Sequence, residues 1–270
     1  MTAPASQPLS RCTARTVGVV VLLFLITPLL VLIPLSFTNS SFFVLPENGW
    51  SLRWYYAVFA DPQWHTAARN SVMIATGSSI IAVVVGTPAS IGLVYLRGRI
   101  AAIAYAVMLI PLVAPVVIVA LAVFLAYNRY GLTETLAGIV IAHAALGIPF
   151  VIITVVAALK KYDVRLYFAA VSLGANRCRA FFFAVLPSIG PAMLAGAVYA
   201  FQASFDESIV VLFLSHPEQV TLPRLIFAGM TDNITPAIAV VAVLTTLASI
   251  LLMLALLAAG RIHKSNPPPR

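Results

Sequence analysis

The sequence predicts an all-α integral membrane protein with six transmembrane helices. Of its 270 residues, 61% are hydrophobic and only 9% are charged, whereas a soluble domain has about 25% charged residues. The mean hydropathy of the chain is +1.03. Six segments are apolar over about 20 residues, the length that an α-helix needs to cross a bilayer. These segments lie at about 17–35, 70–96, 101–126, 137–159, 189–214 and 237–259.

The basic residues of the loops predict an orientation with both termini in the cytosol. With the N-terminus inside, 12 of the 16 lysines and arginines fall on the inner side, and an excess of Lys and Arg is typical of cytoplasmic loops. We expect a cytosolic tail at 1–16, a six-span domain at 17–260 and a second cytosolic tail at 261–270. The net charge of +8 then reflects membrane topology rather than nucleic-acid binding.

Several other features of the sequence are consistent with this topology. We expect the first span to stay uncleaved, because no small-residue cleavage site follows Leu35. The aromatic stretch 50–59 predicts a short helix at the outer membrane interface. Cys12 and Cys178 would both be cytosolic, so we expect no disulfide. No GxxxG pair occurs, so we expect the helices to pack through alanines and serines.

The inner segment 160–188 is longer than a simple connection requires and reads KKYDVRLYFAAVSLGANRCRAFFFAVLPS. Asp163 stands where an acid favours the start of a helix, and Gly174 can take a positive φ that ends it. We expect a second helix from just after Gly174 to Leu186, and a break at Pro187 because proline lacks a backbone N–H. This pattern predicts a helix–turn–helix on the inner face on which a partner could dock; an amphipathic surface loop is the alternative.

Two acids, Asp206 and Glu207, interrupt the apolar sequence AFQASFDESIVVLFLS of the fifth span. A carboxylate at a helix centre costs about 2.5–3.5 kcal/mol on insertion scales, and such acids commonly mark a pathway. On a continuous helix, Glu207 would share a face with Ser204 and Ser208, and Asp206 would point towards Gln202. The candidate residues of a translocation path are therefore Gln202, Ser204, Asp206, Glu207 and Ser208. The alternative is structural: an acid satisfied by a neighbouring helix or by a partner subunit.

The inner segment resembles the EAA loop of ABC-importer permeases, which reads E-A-A, three residues, G, nine residues, I-x-L-P. In the sequence FAAVSLGANRCRAFFFAVLP, the alanines, the glycine, the leucine and the proline match at the same spacing, while Phe168 replaces the glutamate and Ala184 replaces the isoleucine. The resemblance implies a coupling helix that fits a groove on a cytosolic ATPase subunit. The implied docking residues are Phe168, Ala169, Ala170, Gly174, Ala175, Asn176, Arg177, Leu186 and Pro187.

The resemblance extends over nearly the whole chain and is to the spermidine/putrescine branch of these permeases. This resemblance is carried by the segments SLRWYYAVFADPQWHTAARNS, VVVGTPASIGLVYLRGR, PLVAPVVIVALAVFL, HAALGIPFVI, ITPAIAVVAVLTT and SFDE. It implies the architecture of a type I ABC-importer permease in the inner membrane of a bacterium. The implied partners are a second homologous permease, two cytosolic ATPase subunits and a periplasmic or extracellular solute-binding protein. The implied cargo is a small, cationic solute such as a polyamine, and the same family carries other small solutes.

Other classes of function receive less support from the residues. A P-loop ends in Lys and Ser or Thr after a glycine-rich stretch, and none of Lys160, Lys161 and Lys264 follows a glycine. We therefore expect no enzyme activity and no bound cofactor, with ATP held by the partners. The four histidines are far apart, so we expect no metal site, and His143 should instead form a hydrogen bond between helices. An ion-coupled transporter would need inverted repeats with matching broken helices; Pro111 and Pro115 are expected to interrupt the third span, but the second half has no matching pair. An intramembrane hydrolase would need a paired nucleophile and base.

Overall fold

The computed structural model describes residues 8–47, 49–232 and 234–265, and nearly all of them lie in helices. The outermost parts of the two predicted cytosolic tails, residues 1–7 and 266–270, lie outside the described residues. In chain order the helices are α1 (Pro8–Ser36), α2 (Arg53–Ala60), α3 (Pro62–Tyr95), α4 (Gly98–Val113), α5 (Val116–Tyr130), α6 (Leu136–Lys161), α7 (Val164–Ser172), α8 (Arg177–Ala180), a π-helical turn (Phe181–Val185), α9 (Leu186–Phe205), α10 (Ile209–Leu214), a 3₁₀ turn (Pro217–Gln219), α11 (Leu222–Asp232) and α12 (Pro236–Ser265).

The first of two compact units contains the chain up to Asp61 together with Ala228–Ala248. Aromatic rings hold the connection between α1 and α2: Phe37 packs against Trp50 and Tyr55 at centroid distances of 5.6 and 5.0 Å. The Tyr55 hydroxyl also lies 2.9 Å from Ser36 Oγ, at the end of α1. The predicted aromatic helix is therefore present as α2, and its rings pack within this unit as well as facing outward.

The second unit contains Pro62–Phe227 and the chain from Ser249 onward, and its core is formed by α3, α6 and α9. These helices approach each other through small residues. A Cβ at Gly196 would lie 2.8 Å from Val151 Cα, and a Cβ at Gly147 would lie 3.0 Å from Ala200 Cβ. The Ser79 hydroxyl donates across helices to the Ala197 carbonyl at 2.7 Å. The expected packing through alanine and serine is confirmed, and isolated glycines contribute to it as well.

Within the described part of the chain, four helical stretches are long and apolar enough to cross a membrane, and they correspond to the first, second, fourth and fifth predicted spans. They are Arg15–Ser36, Pro62–Tyr95, Leu136–Lys161 and Arg177–Phe205. A fifth crossing is obtained only if α4 and α5 are taken together, although they meet at an angle of 98°. The apolar helix Pro236–Leu252, within the last predicted span, is shorter than the others. The number of six spans therefore stays a prediction.

The third predicted span, 101–126, is not one straight helix. α4 ends at Val113, and Ala114 and Pro115 are extended, with ψ angles of 136° and 120°. A residue before proline is pushed out of the helical region by the proline ring. Pro111, by contrast, lies inside α4 without ending it. The bend is thus a consequence of the Ala114–Pro115 pair, and the sequence predicts an interruption at this proline.

Candidate functional site

The two acids of the fifth predicted span lie at a break between two helices. α9 ends at Phe205 and α10 begins at Ile209, so the prediction of one continuous helix through 189–214 is wrong. Aspartate competes with helical hydrogen bonding through its short polar side chain and favours helix ends. Asp206 accordingly caps α9, with its own N–H still donating to the Gln202 carbonyl at 3.0 Å. The predicted helix face that Glu207 would share with Ser204 and Ser208 therefore does not apply to this geometry.

Glu207 turns its carboxylate back onto the start of α10. Its Oε1 accepts hydrogen bonds from the N–H groups of Ile209 at 2.7 Å and Val210 at 3.2 Å. Amides in the first turn of a helix have no partner within the helix, so the half-buried carboxylate satisfies groups that would otherwise lack one. At the other end of α10, the Leu214 carbonyl accepts from the N–H of Glu134 at 2.8 Å. This geometry favours the structural interpretation for Glu207.

Asp206 has a different environment, because its carboxylate is exposed. Its Oδ2 accepts a hydrogen bond from Gln202 Nε2 at 2.7 Å. The predicted proximity of Asp206 and Gln202 is confirmed, since residues four apart still face each other at the last turn of α9. Gln202 Nε2 also lies 3.3 Å from Ser249 Oγ in α12. One side-chain amide therefore joins the exposed carboxylate to a second helix.

The other two candidate residues lie differently. Ser204 is only 6% exposed, and its Oγ lies 2.8 Å from Nδ1 of His143 in α6. The expected helix–helix hydrogen bond of His143 is confirmed, and it holds Ser204 away from the exposed side of the break. Ser208 lies half-buried in the break itself, immediately before α10.

Sequence reasoning did not find Ser249. A serine in an apolar helix is a weak signal, because hydroxyls in such helices commonly bond to their own backbone. Thr245 and Thr246 of the same helix do so, donating to the Val241 and Ala242 carbonyls. Nothing in the local sequence separates Ser249 from these neighbours, and only the packing of α12 against α9 brings it to Gln202.

The inner segment contains a helix that ends in a tight turn at Gly174. Asp163 caps the start of α7, accepting the Arg165 N–H at 3.0 Å, as its position predicts. At the other end, Gly174 has φ +91° and donates to the Val171 carbonyl at 2.9 Å, while Ala175 donates to the Ala170 carbonyl at 3.1 Å. This pair of bonds is the Schellman arrangement, which glycine favours. The matched glycine and the second matched alanine of the loop are thus both used by the turn.

A second short helix follows the turn. Asn176 caps it, with Oδ1 accepting the Arg179 N–H at 2.8 Å, and α8 runs from Arg177 to Ala180. Arg177 is exposed, whereas Ala175 is half-buried. The turn and this cap together direct the chain into the helix that leads to α9.

The predicted break at Pro187 is wrong, because the helix continues from Arg177 to Phe205. A π-helical turn at Phe181–Val185 precedes the proline, and the Leu186 N–H bonds to the Phe181 carbonyl five residues back. Pro187 then lies in the first turn of α9. The π-helical turn before it is wider than an α-helical turn and accommodates a residue that has no backbone N–H. The Ser188 hydroxyl donates to the nearby Ala184 carbonyl at 2.8 Å.

The inner segment also exposes large apolar side chains. Leu173 is 89% exposed and Phe168 is 59% exposed; Phe168 is the residue in the place of the family glutamate. Tyr162 instead packs into the helix core near Val155 and Ile189. Burial raises the pKa of the Tyr162 phenol above its ordinary value of 10.0, and the neighbouring Asp163 adds to the shift. The phenol is therefore neutral at physiological pH, and the segment is attached to the core at one end while its apolar tip is exposed.

Comparison with known proteins identifies the class of this fold and site. The chain matches the family described as binding-protein-dependent transport system inner membrane component over residues 78–262, a range that includes both the inner segment and the acid-bearing break. The chain belongs to this family of ABC-importer permease subunits. The predicted resemblance to ABC-importer permeases is thereby confirmed.

Two curated relatives and one solved structure extend the comparison. The chain is 32% identical to the putrescine transport system permease protein PotI of Escherichia coli K12 over 228 residues, covering 82% of this chain and 81% of that protein. It is 28% identical to the spermidine/putrescine transport system permease protein PotC of the same strain over 233 residues, covering 86% of each chain. A chain of a bacterial ABC transporter involved in the import of the acidic polysaccharide alginate superposes with a TM-score of 0.70, at 16% identity, covering 95% of this chain and 99% of that chain. The last likeness concerns the fold alone.

Proposed function

We propose that this permease subunit lines the translocation path for a small cationic solute, with a polyamine such as putrescine or spermidine as the leading candidate. The observation that carries the proposal is the exposed carboxylate of Asp206, held by Gln202 at the end of a membrane-crossing helix. A negative charge in such a position attracts cations and repels anions. The names of the two curated relatives, at 28% and 32% identity, support the same cargo.

The subunit works with partners that supply energy and solute. These are a second homologous permease, two cytosolic ATPase subunits and a periplasmic or extracellular solute-binding protein. The inner segment serves as the ATPase-docking loop, supported by its exposed apolar side chains and by the turn at Gly174. The docking residues are Phe168, Ala169, Ala170, Gly174, Ala175, Asn176, Arg177, Leu186 and Pro187.

Orientation and energy source follow from the same assignment. The subunit lies in the inner membrane of a bacterial cell with both termini in the cytosol, in agreement with 12 of its 16 lysines and arginines falling on the inner side. ATP binds the partner subunits, and this chain needs no cofactor of its own. Of the five candidate path residues, Gln202, Asp206, Glu207 and Ser208 lie at or beside the break, and at least one of the two carboxylates meets the solute. Ser204 is instead buried against His143.

The test is uptake of labelled putrescine by the complete complex, reconstituted in vesicles with its binding protein and its ATPase subunits. The variants Asp206→Asn and Glu207→Gln each remove one charge and keep the size and polarity of the side chain. We expect at least one of them to keep normal abundance and assembly, yet to lose most of the uptake. Wild-type rates in both variants would exclude the carboxylates from the path, and failure of both to assemble would support the structural interpretation.

A further inference from the structure

The orientation of the Gln202 amide is dictated by the carboxylate beside it. An ionised carboxylate only accepts hydrogen bonds, whereas a glutamine amide has two donors on its nitrogen and an acceptor oxygen. The nitrogen must therefore face Asp206, as it does at 2.7 Å. The same nitrogen reaches Ser249 Oγ at 3.3 Å, which engages its second donor. Both donors of Gln202 are thus occupied, and the amide is held between α9 and α12.

This arrangement leaves the carboxylate and the amide with only acceptor atoms for a ligand. Among the described residues, no hydrogen bond engages Gln202 Oε1 or the second oxygen of Asp206. A primary ammonium group has three donors and no acceptor, so it is complementary to a carboxylate oxygen beside an amide oxygen. An anion finds no free donor on the amide, because both of its donors are already engaged, and the charge of Asp206 repels it.

We propose that Asp206 and Gln202 form a subsite for one primary ammonium group of the solute, in which Asp206 supplies the charge and Gln202 Oε1 a second acceptor. Ser249 positions the amide, and Glu207 takes no part because its carboxylate is engaged by the amides of Ile209 and Val210. The inference rests on the proposed function for the assignment of a cation as cargo. It goes further in dividing the roles of two adjacent acids and in assigning a binding role to the neutral Gln202.

The test uses a cysteine as a local reporter in the complete complex. Ser249→Cys replaces one oxygen by sulfur next to Gln202, in a chain whose native cysteines, Cys12 and Cys178, have been changed to serine. The rates of modification by the cationic 2-aminoethyl and the anionic 2-sulfonatoethyl methanethiosulfonates are measured in membranes, and their ratio reports the local charge. Putrescine is then added as a competitor, with uncharged 1,4-butanediol of similar length as its control.

The two acids form a matched pair for the first readout. Asp206→Asn should lower the cation-to-anion rate ratio by about tenfold, because a nearby unit charge acts on the two reagents in opposite directions. Glu207→Gln removes the same charge one residue away and should change the ratio by no more than about threefold. Equal falls in both variants would indicate a general field rather than a subsite, and would overturn the proposal.

The second readout isolates Gln202. Putrescine should slow the modification of the reporter cysteine, and butanediol should not. Gln202→Met keeps the length of the side chain and leaves the charge of Asp206 in place, so the rate ratio should stay within about threefold. The half-protecting putrescine concentration should rise by about tenfold, since a hydrogen bond to a charged group is lost.

Three results would overturn the subsite: no protection by putrescine, unchanged protection in Gln202→Met, or a reporter cysteine that neither reagent modifies. Normal protection in a complex that does not take up putrescine would instead contradict the proposed cargo and leave the subsite standing.

Discussion

Substitution of Gly174 by valine tests whether the turn in the inner segment couples this subunit to its ATPase. The turn depends on a backbone φ of +91° and on two hydrogen bonds, from Gly174 to Val171 and from Ala175 to Ala170. No atom lies within 4 Å of a Cβ built at Gly174, so a side chain would meet no obstacle. The effect of Gly174→Val should therefore come from backbone strain alone.

The magnitude follows from comparing this strain with the bonds that hold the turn. A left-handed conformation costs an L-residue about 1–2 kcal/mol, and a β-branched residue is especially unfavourable there. Two backbone hydrogen bonds contribute about 1–3 kcal/mol in total. The strain is therefore of the same size as the stabilisation, and the tight turn should become about 5- to 30-fold less populated.

The assay measures membrane abundance, co-purification of the ATPase subunits and solute uptake in the same preparation. We expect Gly174→Val to insert normally and to lose at least about fivefold in ATPase association or uptake. Gly174→Asn should stay close to wild type, because asparagine tolerates positive φ. The matched control is Gly131→Val, at φ +65° with no atom within 4 Å, in the loop after α5, which the predicted topology places on the outer side. Normal uptake by Gly174→Val would refute the coupling role of the turn, as would an equal loss of ATPase association in Gly131→Val.

Two further predictions concern packing and energy supply. Gly196→Ala should destabilise the subunit by about 1–3 kcal/mol through overpacking, because its Cβ would lie 2.8 Å from Val151 Cα. The control is Gly190→Ala in the same helix, which meets no atom within 4 Å and should be neutral or slightly stabilising. Thermal unfolding in detergent compares the two variants, and equal melting temperatures would contradict the close approach of α9 to α6. A photoreactive ATP analogue should label the ATPase partner and leave this chain unlabelled, because none of the three lysines of this chain follows a glycine-rich loop. Saturable labelling of this chain would disprove that expectation.

Local features of the fold could be predicted from the sequence because they depend on residues only a few positions apart. The cap at Asp163 and the positive φ of Gly174 are such features, and both are found in the structure. The membrane class and the family were likewise evident from composition and from short matched segments, and the family comparison agrees. The proximity of Gln202 to Asp206 was predicted for the same reason, since the two residues are one helical turn apart.

The pairings that define the candidate site depend on how distant helices pack. His143 and Ser204 are 61 positions apart, and Gln202 and Ser249 are 47 apart. A polar residue in an apolar helix can bond to its own backbone or to a neighbouring helix, and its sequence context does not select between them. Tertiary packing therefore decided that Ser204 is buried and that the amide of Gln202 is anchored beside an exposed carboxylate.

The course of the backbone at its irregular points was also decided by tertiary structure. Proline indicates where a helix can be disturbed, but the outcome differed at each site: Pro115 marks the 98° bend, whereas Pro187 is accommodated by a π-helical turn. At the acid pair the helix is interrupted, with Asp206 capping α9 and Glu207 engaging the amides of α10. Composition and local pattern thus determined the class of this protein, its family and the chemistry available at positions 206 and 207. Only the tertiary structure decided which carboxylate bonds to the backbone and which one faces outward. The reason is that the positions of the two helix ends depend on packing against the rest of the fold.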